Sequence, residues 1–130
     1  MHACHLALNG TRGAALTVVR LEFATGMLHW VGVGNVAAAV VHVNGPTPGN
    51  TLRLWAGVVG HRIPAFRPEL RRVGAGDLII VATDGVAPGF HECVRPYTSA
   101  EQVASTIMRH DGRSTDDALV AVLRVPAELG

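Results

Sequence analysis

Residues 77–83, Asp-Leu-Ile-Ile-Val-Ala-Thr, form an almost unbroken apolar run that stops at Asp84-Gly85. Turn formers bound it on both sides, Gly74-Ala75-Gly76 before and Asp-Gly after, so the run is strand-sized and has no alternate polar positions to give to water. It predicts a strand buried on both faces. Such a strand needs a true core around it, and 130 residues are enough for one domain that has one. With 48% apolar and only 16% charged residues, the chain is globular in composition and lacks the charge excess of a disordered one.

The rest of the chain reads mostly as strands. Ala14 to Phe23 and Met27 to Val43 are apolar, alternating or β-branched runs separated by Ala24-Thr25-Gly26, and Gly32 to Asn35 splits the second run in two. Asn44 to Asn50 (Asn-Gly-Pro-Thr-Pro-Gly-Asn) is dense in turn formers and predicts a hairpin tip. Thr51 to Trp55 alternates, Glu69 to Val73 is a candidate short strand, and Ala118 to Val125 is a final strand stopped by Pro126. One helix is predicted over 100–110, with Ser99 as N-cap, Glu101 in the first turn, and Val103, Ile107 and Met108 on one face. A second helix is expected at Val86 to Val94.

Charge and cysteine content exclude several function classes. The formal charge is +1 and the eleven basic residues, all Arg, are scattered along the sequence, which gives no basic stripe for nucleic acid or anionic membrane. No apolar stretch of about eighteen residues exists, and the N-terminus has no signal-peptide pattern. Cys4 and Cys93 make neither a disulfide framework nor a zinc pattern, so a reducing cytoplasm is the expected compartment.

Two acidic positions stand out by their place on the strands. Asp84 ends the buried strand, and Asp116-Asp117 immediately precede the last one. A rigid strand end fixes a carboxylate, as a hard cation requires of its few protein oxygen ligands; if the two strands are neighbours, the carboxylates converge. Asp-Gly is also ordinary turn chemistry and Asp-Asp an ordinary cap, so spacing alone leaves both readings open.

Gly32-Val33-Gly34-Asn35-Val36-Ala37 matches the G-x-G-x-x-A dinucleotide fingerprint, but the context contradicts it. The residues after it are β-like, and no acid lies between Glu22 and Glu69 to take a ribose. Close backbone packing explains the glycines better. His2 and His5 beside Cys4 have no second ligand pair, and chain ends are commonly mobile. His29 and His42 lie inside strand patterns, where a hydrogen-bonded histidine is commoner than a ligand or base.

Five segments taken in order carry a resemblance: residues 4–15 (CHLALNGTRGAA), 28–36 (LHWVGVGNV), 57–64 (GVVGHRIP), 76–90 (GDLIIVATDGVAPGF) and 115–124 (TDDALVAVLR). They resemble RsbX-like members of the PPM-type metal-dependent protein serine/threonine phosphatases, the group that includes the RsbX and SpoIIE regulators of bacterial sigma-factor pathways. The resemblance implies an α+β fold, a β-sandwich of antiparallel sheets flanked by helices, here N-terminally incomplete because an Asp-Gly-x-Gly-His-Gly turn that supplies a bridging aspartate has no counterpart. It also implies two Mn²⁺ or Mg²⁺ ions that activate a water against phosphoserine or phosphothreonine. Asp84 and Asp116 match metal ligands of the family, Asp117 and Gly85 fall in a supporting shell, and Asn35 lies near a position that is Asp in many relatives.

The implied partner is a phosphorylated regulatory protein, an anti-sigma antagonist or a stressosome-type component. Two readings are compatible with this: a phosphatase, inactive if the missing aspartate is not supplied, or a non-catalytic module that retains a regulator-docking surface around Gly57 to Arg67. Without the family's first strands, sheet edges and apolar faces should be uncovered, and an exposed edge could pair with a second copy.

Overall fold

The computed structural model describes residues 1–45, 51–95 and 97–127. Along them the chain runs α1 (His2–Ala7), β1 (Leu16–Glu22), β2 (Met27–Val33), β3 (Ala37–Val41), β4 (Leu54–Trp55), β5 (Glu69–Arg72), β6 (Leu78–Ala82), α2 (Ala100–Asp111) and β7 (Val120–Arg124). Most of the predicted hairpin tip, residues 46–50, lies outside the described residues.

The strands form two sheets. In one, β2 pairs antiparallel with β1 on one side; on the other it pairs with β5 along Met27 to Trp30 and with β4 along Gly32 and Val33. The β2–β4 pair is parallel, so this sheet is mixed and not purely antiparallel as expected. The second sheet is antiparallel, in the order β3-β6-β7.

Strand β6 is central and buried on both faces, as its composition requires. Leu78, Ile80 and Ala82 pack with Ala39 and Val41 of β3 against Val103 and Ile107 of α2. Ile79 points the other way, with Ala38 and Val40, onto Leu28 and Trp30 of the first sheet. The alternation of β3 and β6 thus separates two core layers, and burying Val103 and Ile107 contributes about 1.5–3 kcal/mol each. Ser99 caps α2 as predicted, and Gln102 completes a reciprocal capping box with it. Met108, expected on the buried face, is 39% exposed, because α2 meets the sheet through the i, i+4 pair Val103 and Ile107 alone.

The glycines after β2 have packing reasons. A Cβ on Gly32 would meet the Leu54 side chain at 2.5 Å and the Trp30 ring at 2.9 Å, so its absence lets β4 and the buried indole close over β2. Gly34 has φ +108°, a conformation few L side chains adopt, and ends β2 where its backbone passes Ala15. The chain then leaves the first sheet and enters the second as β3. Trp30 is 1% exposed, and its indole N–H donates to the Arg53 carbonyl at 2.9 Å, so no polar group is lost in the core.

The expected helix at Val86 to Val94 is a series of turns. Pro88-Gly89 interrupts it, with Gly89 at φ +84°, and bonds such as Glu92 N–H to the Gly89 carbonyl (2.8 Å) span three residues instead of four. Val86 and Phe90 still reach the core beside α2, so the apolar content that suggested a helix is used without one. The N-terminus also differs from expectation. The Gly60 N–H donates to His5 Nδ1 at 2.9 Å, and His2 stacks on Phe66 with ring centroids 5.2 Å apart, so α1 is docked on the 60–66 segment.

The first sheet covers β3 and β6 but stops short of β7. Leu123 and Ala121 continue the row of Ile79 and Val81 across the sheet, yet Leu123 is 48% exposed. Strand β7 is therefore an edge with an uncovered apolar face, as expected.

Asp77, 6% exposed, opens β6 and ties three segments together. Its carboxylate accepts from Val43 N–H (3.0 Å) and Gly74 N–H (2.8 Å) and meets His42 Nδ1 at 2.7 Å. His42, just past the end of β3, is thus a hydrogen-bonded histidine, as its sequence setting indicated. Asp77→Ala strands these partners, so we expect a loss of about 3 kcal/mol in unfolding free energy, read by urea denaturation.

Candidate metal-facing site at the strand ends

The pairing register decides which residues meet at the end of β6. Ala82 pairs with Ala37 of β3 on one side and Val120 of β7 on the other. Asp84, two residues past Ala82, therefore lies beside Asn35, two before Ala37, and near Ala118, two before Val120. Thr83 fastens this end: its N–H donates to the Leu119 carbonyl at 3.0 Å, and its hydroxyl accepts from Leu119 N–H at 2.9 Å. Gly85 allows the tightest approach, since a Cβ there would overlap the Asp117 carbonyl oxygen and sit 2.9 Å from the Ala118 Cα. The strands carrying Asp84 and Asp116 are thus neighbours, as convergence required.

Each carboxylate is oriented locally. Asn35 Nδ2 donates to Asp84 Oδ2 at 2.5 Å, and the Asp117 backbone N–H donates to Asp116 Oδ1 at 2.9 Å. Asn35, Asp84, Asp116 and Asp117 are all exposed, and none of the three acids has an ion-pair partner among the described residues. The sequence placed Asn35 near a family position, but its contact with Asp84 spans 49 residues and had no local signal.

Among the described residues, no three His, Cys, Asp or Glu side chains form a group that could hold a metal ion. A hydrated hard cation is commonly held by one or two carboxylates and completed by water, and the donor chemistry of Asp84 and Asp116 fits that. A two-ion centre needs a carboxylate between ions about 3.5–4 Å apart, and the described residues do not fit one.

Among the described residues, Cys93 is displaced from its ordinary value. Burial first, then the hydrogen bond and the negative charge of Asp111, push the Cys93 thiol up. The sulfur donates towards the Phe90 carbonyl (3.3 Å) and Asp111 Oδ2 (3.5 Å), so the protonated form is the one the site holds. Cys93 is therefore a poor candidate nucleophile.

No known protein-family profile matches the sequence, and no curated protein matches it. Solved structures do. A protein solved in work on the bacterial stressosome, described as a modular system adapted to control secondary messenger signalling, is 26% identical with a TM-score of 0.74; the match covers 93% of this chain and 63% of that one. RsbX in complex with magnesium is 19% identical with a TM-score of 0.77, covering 92% of this chain and 59% of RsbX. The manganese-presoaked phosphatase domain of SpoIIE from Bacillus subtilis is 18% identical with a TM-score of 0.57, covering 93% and 61%. The chain has the PPM-type, RsbX/SpoIIE-like fold, and spans about three-fifths of the length of these solved chains.

The corner and its surroundings can each be probed by one substitution. Replacing Asn35 by Asp puts a second carboxylate against Asp84, and we expect Mn²⁺ affinity measured by calorimetry to rise at least about tenfold, ~1.4 kcal/mol. Asp111→Asn removes a charge that raises the Cys93 pKa, so the pH profile of Cys93 alkylation, measured by mass spectrometry, should move to lower pH.

Proposed function

We propose that this chain is a phosphoserine/phosphothreonine protein phosphatase module acting on a regulator of a bacterial sigma-factor or stress-signalling pathway. The observation that carries the reading is the corner just past the doubly buried strand, where Gly85, next to Asp84, packs against the backbone of Asp117 ahead of β7. The RsbX/SpoIIE-like fold supports it, and so do the magnesium complex of RsbX and the manganese-presoaked SpoIIE domain.

In this reading Asp84 and Asp116 are the protein ligands of a Mn²⁺ or Mg²⁺ ion. Such a cation, when bound, lowers the pKa of a coordinated water and neutralises charge on phosphoryl oxygens. Asn35 orients Asp84, the Asp117 N–H orients Asp116, and Gly85 lets the two strand ends close on each other. The partner is a phosphorylated regulatory protein of the anti-sigma-antagonist or stressosome type, in keeping with the stressosome-related neighbour. We assign it to the cytoplasm, where two free cysteines are stable; no helix among the described residues is long and apolar enough to cross a membrane.

A second reading, a non-catalytic module that binds the phosphorylated regulator, is favoured by the neutral Asn35 beside Asp84 and by the lack of a third converging acid among the described residues. Phosphate release from a phosphoserine peptide with Mn²⁺ separates the two. The phosphatase reading expects Mn²⁺-dependent release that Asp84→Asn lowers at least about a hundredfold, as for loss of a cation ligand acting in the transition state. Saturable peptide binding with no release, unchanged in Asp84→Asn, would establish the second reading.

A further inference from the structure

The eleven arginines are unevenly spread along the chain. Five of them, Arg53, Arg62, Arg67, Arg71 and Arg72, fall in a stretch of twenty residues whose single acid is Glu69. Strands β4 and β5 pair with the same side of β2, which brings Arg53 and Arg67 together at one cavity of about 540 Å³. Trp55, Phe66 and Pro68 supply its apolar lining.

The charges in this cavity are unequally used. Glu69 accepts the Arg53 backbone N–H at 2.7 Å through one oxygen and pairs with Arg71 at 2.5 Å through the other. Its charge is therefore already matched. The Arg53 guanidinium lies over the Trp55 ring, 4.5 Å from the centroid, and neither it nor Arg67 has a carboxylate partner among the described residues. Stacking on an indole holds the planar group in place and leaves its N–H edge free for a bidentate anion. Phe66 is steadied from behind by His2.

We propose that this groove docks an acidic segment of a partner protein, with Glu or Asp carboxylates on Arg53 and Arg67 and an apolar side chain against Trp55 and Phe66. Two free guanidinium groups over an apolar floor suit a short acidic-apolar peptide, because each charge is met once and the remainder of the contact is hydrophobic. A nucleic acid needs a longer basic stripe, whereas here the chain carries only +1 and Glu69 faces the same cavity. The groove adjoins the strand-end corner through β2: the Gly34 N–H donates to the Trp55 carbonyl at 2.9 Å, and the next residue, Asn35, reaches Asp84. Docking here deepens the proposed function by placing the partner's non-reacting segment, and it rests on that reading only in taking the partner to be a protein.

The test is fluorescence anisotropy of a labelled peptide of alternating Glu and Leu, titrated with the intact chain, so its outcome is separate from phosphate release. We expect saturable, salt-sensitive binding that Arg53→Gln and Arg67→Gln each weaken about fivefold and the double variant at least about twentyfold. Arg109→Gln, on α2 in the opposite layer, should bind as the parent does, and circular dichroism should show all variants folded. The proposal is overturned if the peptide does not bind, if its Gln-for-Glu counterpart binds equally well, or if Arg109→Gln weakens binding as much as the groove variants. Tighter binding of an oligothymidylate of equal charge would also overturn it, in favour of a nucleic-acid surface.

Discussion

The rest of the structure depends on the burial of β6 on both faces. A strand with Leu78, Ile80 and Ala82 on one side and Ile79 on the other cannot expose either side to water without losing apolar burial, at about 25 cal/mol per Å². It therefore requires α2 on one face and the first sheet on the other. Both neighbours, β3 and β7, are fixed to it in register, and the polar ends of all three strands must emerge together. The acidic corner is a consequence of that register.

How the chain joins two sheets matters as much. Strand β2 belongs to one sheet and β3, only four residues later, to the other, and the change is made at Gly34 where the backbone passes Ala15. Residues 51–55 make the reverse crossing: the Leu52 N–H donates to Ala38 of β3, and Leu54 and Trp55 pair with β2. The two crossings place Asn35 against Asp84 and Arg53 beside β5. Backbone hydrogen bonding thus sets the chemistry of two separate surfaces.

Carboxylates have opposite roles at the two ends of β6. Asp77 is buried and its oxygens are spent on Val43, Gly74 and His42, which makes it a structural knot. Asp84 is exposed, and among the described residues its Oδ1 accepts no hydrogen bond, so it keeps coordination capacity. Burial and satisfaction, more than residue type, distinguish a fold-holding acid from one available to a cation.

By itself the sequence determined the features that local chemistry controls: the buried run at 77–83, the break at Gly26, the division of residues 27–43 into two strands, the Ser99-capped helix, and Asp84 just past the end of the buried run, while the last strand starts at Val120, four residues after Asp116. These depend on periodicity and turn residues within a few positions, and a linear reading can register them. It misjudged 86–94, where apolar spacing suggested a helix but Pro88-Gly89 and the space beside α2 enforced turns. Only the tertiary structure decided that β4 lies parallel to β2, that His2 and His5 dock the N-terminus, that Asn35 meets Asp84, and that Arg53 and Arg67 share a groove. Each of these contacts joins residues far apart in the chain, and their meeting depends on which strands pair and in which register, a choice made by the packing of the whole core.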